Sequence, residues 1–238
     1  MPAASCIPEH GAAGQNPQSN LKEPFMQLYG RRSSINVQKV IWCLAELGLM
    51  EQRDYQRIDA GLDFGVVRTP EYLALNPNGL VPTWVEGDLV LWESNSIVRY
   101  LAATRGDGAL LPGDPAKRAD VERWMDWQLG TLWATLRVAF LGLTRTPEPQ
   151  RDYDAINTSF GNASRQLQMA EAVLAKQPFI AATGFSVADI VIGLAVHRWI
   201  GLLENFAGVL PAPPAMPSLI AWHRELIERP AFKETVRS

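Results

Sequence analysis

The chain has 238 residues, 47% of them apolar, and a formal net charge of -3. That length and apolar content can bury one sizeable core or two smaller ones, and no apolar run is long enough to cross a bilayer. With no basic excess and with the arginines scattered, no nucleic acid and no membrane are expected as partners, and an anionic small molecule would need local Arg or a helix terminus.

Residues 1–24 are rich in Pro, Gly, Ala, Ser and Asn and have neither a charged start nor an apolar centre. They read as a disordered tail rather than a secretory signal. A first unit then spans 25–104. Met26 to Tyr29 forms a short strand, and Val37, Val40, Ile41, Leu44 and Leu47 recur at helical spacing until Gly48 stops the helix. Tyr55 to Ile58 reads as a second strand, Thr83–Val85 and Leu89–Leu91 as a hairpin across Gly87-Asp88, and Asn95 to Ala103 as a covering helix. The order βαβ, ββα describes a small α/β sheet.

Residues 105–116, with their Gly, Pro and Asp, read as a linker, and 117–238 show no strand pattern. Val121, Trp124 and Gln128 through Phe140 predict one long helix, and Tyr153 to Leu174 predict another. Ser186 and Asp189 form a short variant of a capping box, with Phe185 placed to staple onto Ile190, ahead of a helix that is apolar on most faces. The second unit is therefore all-α. Asp189 receives a folding role, not a catalytic one.

One segment carries chemistry. Asn76-Pro77-Asn78-Gly79-Leu80 is a turn that delivers Val81, whose main-chain N–H and C=O can pair with an extended peptide while Pro82 stiffens the edge. The turn chemistry raises the expectation of a cis Val81–Pro82 bond. Glu93 and Ser94 then open a helix, where free N–H groups and the dipole favour a carboxylate and the Glu side chain takes an ammonium. Singly, each piece is an ordinary turn or cap. In this order, one amino-acid-like ligand accounts for all of them.

Leu28-Tyr29-Gly30 leading to Ser33-Ser34-Ile35-Asn36, the loop Asn78 to Pro82, Glu93-Ser94, the capping box at Ser186, and Arg229-Pro230-Ala231-Phe232 together resemble a soluble glutathione S-transferase over residues 26 to 235. The resemblance implies a thioredoxin-like N-terminal domain that binds glutathione as co-substrate, a helical C-terminal domain that helps bind the second substrate, and a homodimer in the cytoplasm. Val81 and Pro82 would meet the cysteinyl backbone, and Glu93 and Ser94 the γ-glutamyl group. In the bacterial and theta-like branches a Ser, Thr or Cys after the first strand approaches the thiol. Ser34 fits that place best, with Ser33 adjacent, and Asn36 matches a further thiol contact in the branch resembling disulfide reductases.

For the second substrate, a small electrophile or disulfide, the resemblance directs attention to Trp124, Trp127, Trp133, Arg137 and Phe140. Arg31, Arg32 and Arg68 are candidates for the glycyl carboxylate, Arg31 and Arg32 being expected to be solvated. Conjugation is the leading activity. Glutathione-dependent disulfide or peroxide reduction and a non-catalytic interaction module of the same fold are the alternatives, and the run after Ser34 departs from the isomerase pattern. Cys43 falls on the apolar face of the first helix, so packing is its expected role. Neither Cys6 nor Cys43 has metal-type spacing, and His10, His197 and His223 show no catalytic or metal partner in sequence, so no metal is expected.

Overall fold

The computed structural model describes residues 26–182 and 184–236. The expected tail, with Cys6 and His10, lies outside the described residues. Strand β1 (Met26–Tyr29) sends Met26 and Leu28 into the core. Gly30 then turns the chain at φ +150, where an added Cβ would lie 2.4 Å from Val37. Only glycine lets β1 run this tightly into α1 (Ile35–Glu46).

Strands β2 (Tyr55–Ile58), β3 (Thr83–Glu86) and β4 (Leu89–Trp92) complete a sheet of order β2-β1-β3-β4, with β2 parallel to β1 and the β1–β3 and β3–β4 pairs antiparallel. Between β2 and β3 lies a helix the periodicity did not reveal, α2 (Pro70–Leu75). Its six residues are too few to show a helical repeat, and its signal is local: the Thr69 hydroxyl accepts the Tyr72 N–H at 3.2 Å, and Pro70 takes the first turn. Helix α3 (Ser94–Arg105) packs on α1.

Helix α4 (Pro115–Trp127) continues into a π-helical turn, Gln128–Trp133, and then into α5 (Ala134–Thr144). The single long helix expected here is continuous as a rod, but the wide turn breaks its phase. Helices α6 (Tyr153–Leu174), α7 (Val187–Asn205), α8 (Pro217–Glu228) and α9 (Pro230–Thr235) complete the all-helical part. Among the described residues, no helix is long and apolar enough to cross a membrane.

The capping box at α7 forms as expected. Asp189 also accepts from the Ile180 N–H at 3.0 Å and the Trp222 indole at 3.1 Å, so one buried carboxylate joins the helix start to the preceding loop and to α8. Burial pushes this carboxyl up to about 6, against the pull of those donors. Phe185 lies under the Arg229 guanidinium, 3.6 Å from ring centre, and beside Trp42. Arg229 in turn grips Glu46 of α1 with two bonds of 2.7 Å. This seam sutures the sheet-bearing half to the helical half.

Candidate functional site

The Asn76 amide fixes the turn before β3. It donates to the Leu80 carbonyl at 2.9 Å and to the Thr83 hydroxyl at 3.0 Å, and its oxygen accepts the Asn78 N–H at 3.1 Å. The Tyr72 hydroxyl reaches the same two groups at 2.6 and 2.8 Å. Tyr72 is a support that sequence reasoning missed, and Asn76, read there only as a turn residue, is a second one through its side chain. Their signal is spatial, since α2 must fold before Tyr72 can meet the turn. Gly79, at φ +60, closes the turn where a Cβ would come 2.8 Å from Arg68.

The Val81–Pro82 bond is cis. The Val81 N–H and C=O have no hydrogen-bond partner among the described residues, so the edge is open to an incoming strand. Val81 and Pro82 line a small cleft with Asn36, Asn76, Asn78, Leu80, Trp92, Glu93 and Ser94. Thus the turn, the cis Pro and the start of α3 meet in one place.

Glu93 sits at the N-cap of α3 with φ +69, a left-handed conformation that costs a non-glycine residue on the order of 1–3 kcal/mol. Its carboxylate is exposed and has no ion-pair partner among the described residues, and Ser94 is buried behind it. An acidic residue held in strain beside unpaired helix N–H groups makes a two-sided clamp: carboxylate for a cation, helix start for an anion.

Ser34 is the N-cap of α1, yet its hydroxyl makes no capping hydrogen bond. It is 8% exposed, whereas Ser33 is open to solvent. Asn36 lines both the small cleft and the cavity beyond it, and its side-chain oxygen is buried without a partner among the described residues. An orphaned acceptor in that position is a group a ligand donor would satisfy. Tyr29, the nearest tyrosine in sequence, spends its hydroxyl on Gln27 at 3.3 Å.

Beyond Asn36 opens a cavity of about 460 Å³ lined by Arg31, Ser33, Ser34, Ile35, Asn36, Leu80, Val81, Trp133, Arg137, Phe140, Leu141, Arg145 and Thr146. Trp133, Arg137 and Phe140 are among its walls. Trp127 is not: it packs edge-on against the buried Trp124, ring centres 5.4 Å apart, away from the cavity. Arg145 was missed, although it stands two helical turns after Arg137. Arg31, expected in solvent, has a buried Nε without a partner among the described residues, and its pKa is lowered first by burial and then by Arg145, with Asp63 opposing. Arg32 turns away to pair with Glu51. Arg31, Arg137 and Arg145 make no ion pair among the described residues, so the cavity lining combines apolar side chains with three unpaired cations.

Cys43 is buried, donates weakly to the Val98 carbonyl at 3.9 Å, and is pushed up by burial, so its thiol stays protonated. His197 and His223, which sequence left without partners, stack and share a 3.2 Å contact. Among the described residues, no cluster of His, Cys, Asp or Glu could hold a metal ion.

Two family models match the chain: the N-terminal domain of glutathione S-transferases over residues 33–104, and the C-terminal domain over residues 132–230. The glutathione S-transferase GstB of Escherichia coli is 41% identical over 214 residues, covering 89% of this chain and 98% of that protein. Glutathione S-transferase 3 of Zea mays is 31% identical and covers 89% and 93%. Among solved structures, the theta class glutathione S-transferase of Xanthomonas axonopodis pv. citri with glutathione bound superposes with a TM-score of 0.79 at 41% identity, covering 90% of this chain and 98% of that one.

Proposed function

We propose the following chemistry for this chain, which belongs to the glutathione S-transferase family: glutathione lies along the open Val81 edge, and its thiolate attacks a small electrophile that carries an anionic group. The enzyme is a glutathione transferase, with glutathione as co-substrate. The observation that carries the reading is the meeting, in one cleft, of an unpaired main-chain edge at Val81 with the clamp of Glu93 and Ser94. A tripeptide with an amino-acid end needs both at once.

A free thiol has a pKa near 8.5, so only a few per cent is thiolate at neutral pH. Lowering that value by about two units takes roughly 2.7 kcal/mol of preferential anion stabilisation. The Ser34 hydroxyl, uncommitted to its own helix, donates to the sulfur. The N–H of the Asn36 side-chain amide, which lines both the cleft and the cavity, and the positive end of α1 add to it. Arg31, which lines the cavity, favours the anion further. No general base is needed, because the thiol proton leaves to solvent.

The arginines define the second substrate. Three cations held near one another, with no carboxylate in contact among the described residues, repel, and an anionic ligand relieves that repulsion. Trp133, Phe140 and Leu141 take its apolar body. A homodimer in the cytoplasm completes this reading.

Calorimetry with glutathione, followed by conjugation of 4-(chloromethyl)benzoate against its neutral amide, tests both halves. Glutathione binding is expected, with kcat/KM for the carboxylate at least about tenfold higher, and Arg145→Ala abolishing the preference. Absence of glutathione binding overturns the transferase reading. Equal rates for acid and amide overturn the anionic substrate alone, and disulfide reduction by the same preparation without conjugation would move the chain to the reductase alternative.

A further inference from the structure

Helix α1 is buried on every side, and its apolar residues are interrupted by a lysine with no exposed surface. Lys39 donates to the Asn95 side-chain oxygen at 3.1 Å and to the Gln128 side-chain oxygen at 2.9 Å. Among the described residues it touches no carboxylate. A buried ammonium costs several kcal/mol to desolvate, and a hydrophobic residue of the same volume would commonly serve stability as well or better. Packing therefore does not account for it.

Its two partners belong to different elements, Asn95 to α3 and Gln128 to the π-helical turn. Asn95 follows Glu93 and Ser94 directly in α3, is itself buried, and donates onward to the Met125 carbonyl at 2.9 Å. Gln128 opens the π-helical turn whose last residue, Trp133, walls the larger cavity, with Arg137 one turn on. Among the described residues the Gln128 side-chain N–H group is buried without a partner, so Lys39 supplies the only hydrogen bond of that side chain. Glu93, from α3, is the charged group that acts on Lys39; burial pushes the ammonium down to about 7, and Glu93 pulls against it.

We propose that Lys39 is a positioning residue that couples the glutathione cleft to the second-substrate cavity, by holding Asn95 of α3 and Gln128 of the π-helical turn on a single ammonium. The inference rests on the transferase reading above. Lys39 touches neither substrate. It fixes the clamp relative to the wall bearing Trp133 and Arg137, so a disturbance of either partner is felt across the site.

S-methylglutathione, which has no thiol proton to lose, isolates this effect from the chemistry. Its Kd is measured for wild type, Lys39→Met, Gln128→Met and the double variant. Lys39→Met is expected to weaken binding about tenfold, and Gln128→Met, on the far side of the ammonium, about fivefold. The double variant is expected to be no weaker than Lys39→Met, because both remove one linkage. Wild-type affinity should also decline as pH rises through 7, where Lys39 loses its charge, and the Lys39→Met profile should be flat there.

Unchanged binding by Gln128→Met, or single effects that multiply in the double variant, overturns the coupling. If Lys39→Met does not fold, Gln128→Met carries the test alone, since lost affinity for a ligand that Gln128 does not touch is the distinguishing sign. A wild-type chain that does not bind S-methylglutathione overturns the glutathione reading itself, an outcome distinct from a wild type that binds and a Gln128 variant that binds equally well.

Discussion

Replacing Ser34 by Ala separates thiol chemistry from folding unusually well. The hydroxyl caps nothing in α1, so the usual cost of losing an N-cap Ser, about 1 kcal/mol, does not arise and the melting temperature should stay within a degree or two. What is lost is one donor to a sulfur anion. A hydrogen bond to a charged group contributes about 1.5–3 kcal/mol, which is about one to two pKa units of the bound thiol. The sign follows directly: the thiolate is less favoured, so its pKa rises. Thiolate absorbance of bound glutathione near 240 nm, followed against pH, should shift upward by that interval. Conjugation should drop about tenfold or more well below the wild-type thiol pKa and converge with wild type at high pH, where both thiols are ionised. Equal thiol titration in the two proteins, with glutathione bound in both, would refute the assignment of Ser34 and return attention to Ser33.

Three further outcomes follow from the same geometry. Glu93→Gly removes the strain of a non-glycine residue at φ +69, so stability should hold or rise while glutathione KM increases at least about tenfold; a variant that loses stability and keeps its KM would contradict the clamp. Asp189→Ala strips a buried acceptor from the Ile180, Ser186 and Trp222 donors and should cost about 3 kcal/mol or more by denaturant melts, against little change if the box were ornamental. His223 is pushed down to about 4 by burial and by His197, below the ordinary 6.5 of the unfolded chain. The folded protein then binds fewer protons than the unfolded one in that interval, so stability should be lost as pH falls from 6.5 towards 4, by up to about 3 kcal/mol. His223→Gln should flatten that loss, and parallel acid profiles would count against the argument.

The strands and long helices were legible because their signals are local. The short, mostly apolar run Met26 to Tyr29 gave β1, three-and-four spacing gave α1 and α6, and Ser186 with Asp189 announced the start of α7. The turn at Asn76 to Pro82 and the clamp at Glu93 were legible for the same reason, since each is a contiguous motif. Arg145 and Lys39 were not. Arg145 acquires meaning only when α5 brings it beside Arg31, more than a hundred residues earlier in the chain. Lys39 looks like a solvated residue until α1 is seen enclosed by α3, α7 and α9. Trp127 failed in the opposite sense: its spacing suited the cavity, but the π-helical turn lies between it and Trp133, so the two tryptophans face different surroundings.

That turn has an evolutionary corollary. A π-helical turn amounts to an extra residue accommodated in an α-helix, so every side chain after it is rotated by roughly a hundred degrees from where an uninterrupted helix would aim it. Deleting one residue between Gln128 and Trp133 would re-clock α5 and sweep Trp133, Arg137 and Arg145 off their present bearing, leaving the Val81 edge and the Glu93 clamp untouched. Single-residue insertions and deletions at this point therefore offer lineages a dial for exchanging what the thiol attacks, without renegotiating how the tripeptide is held.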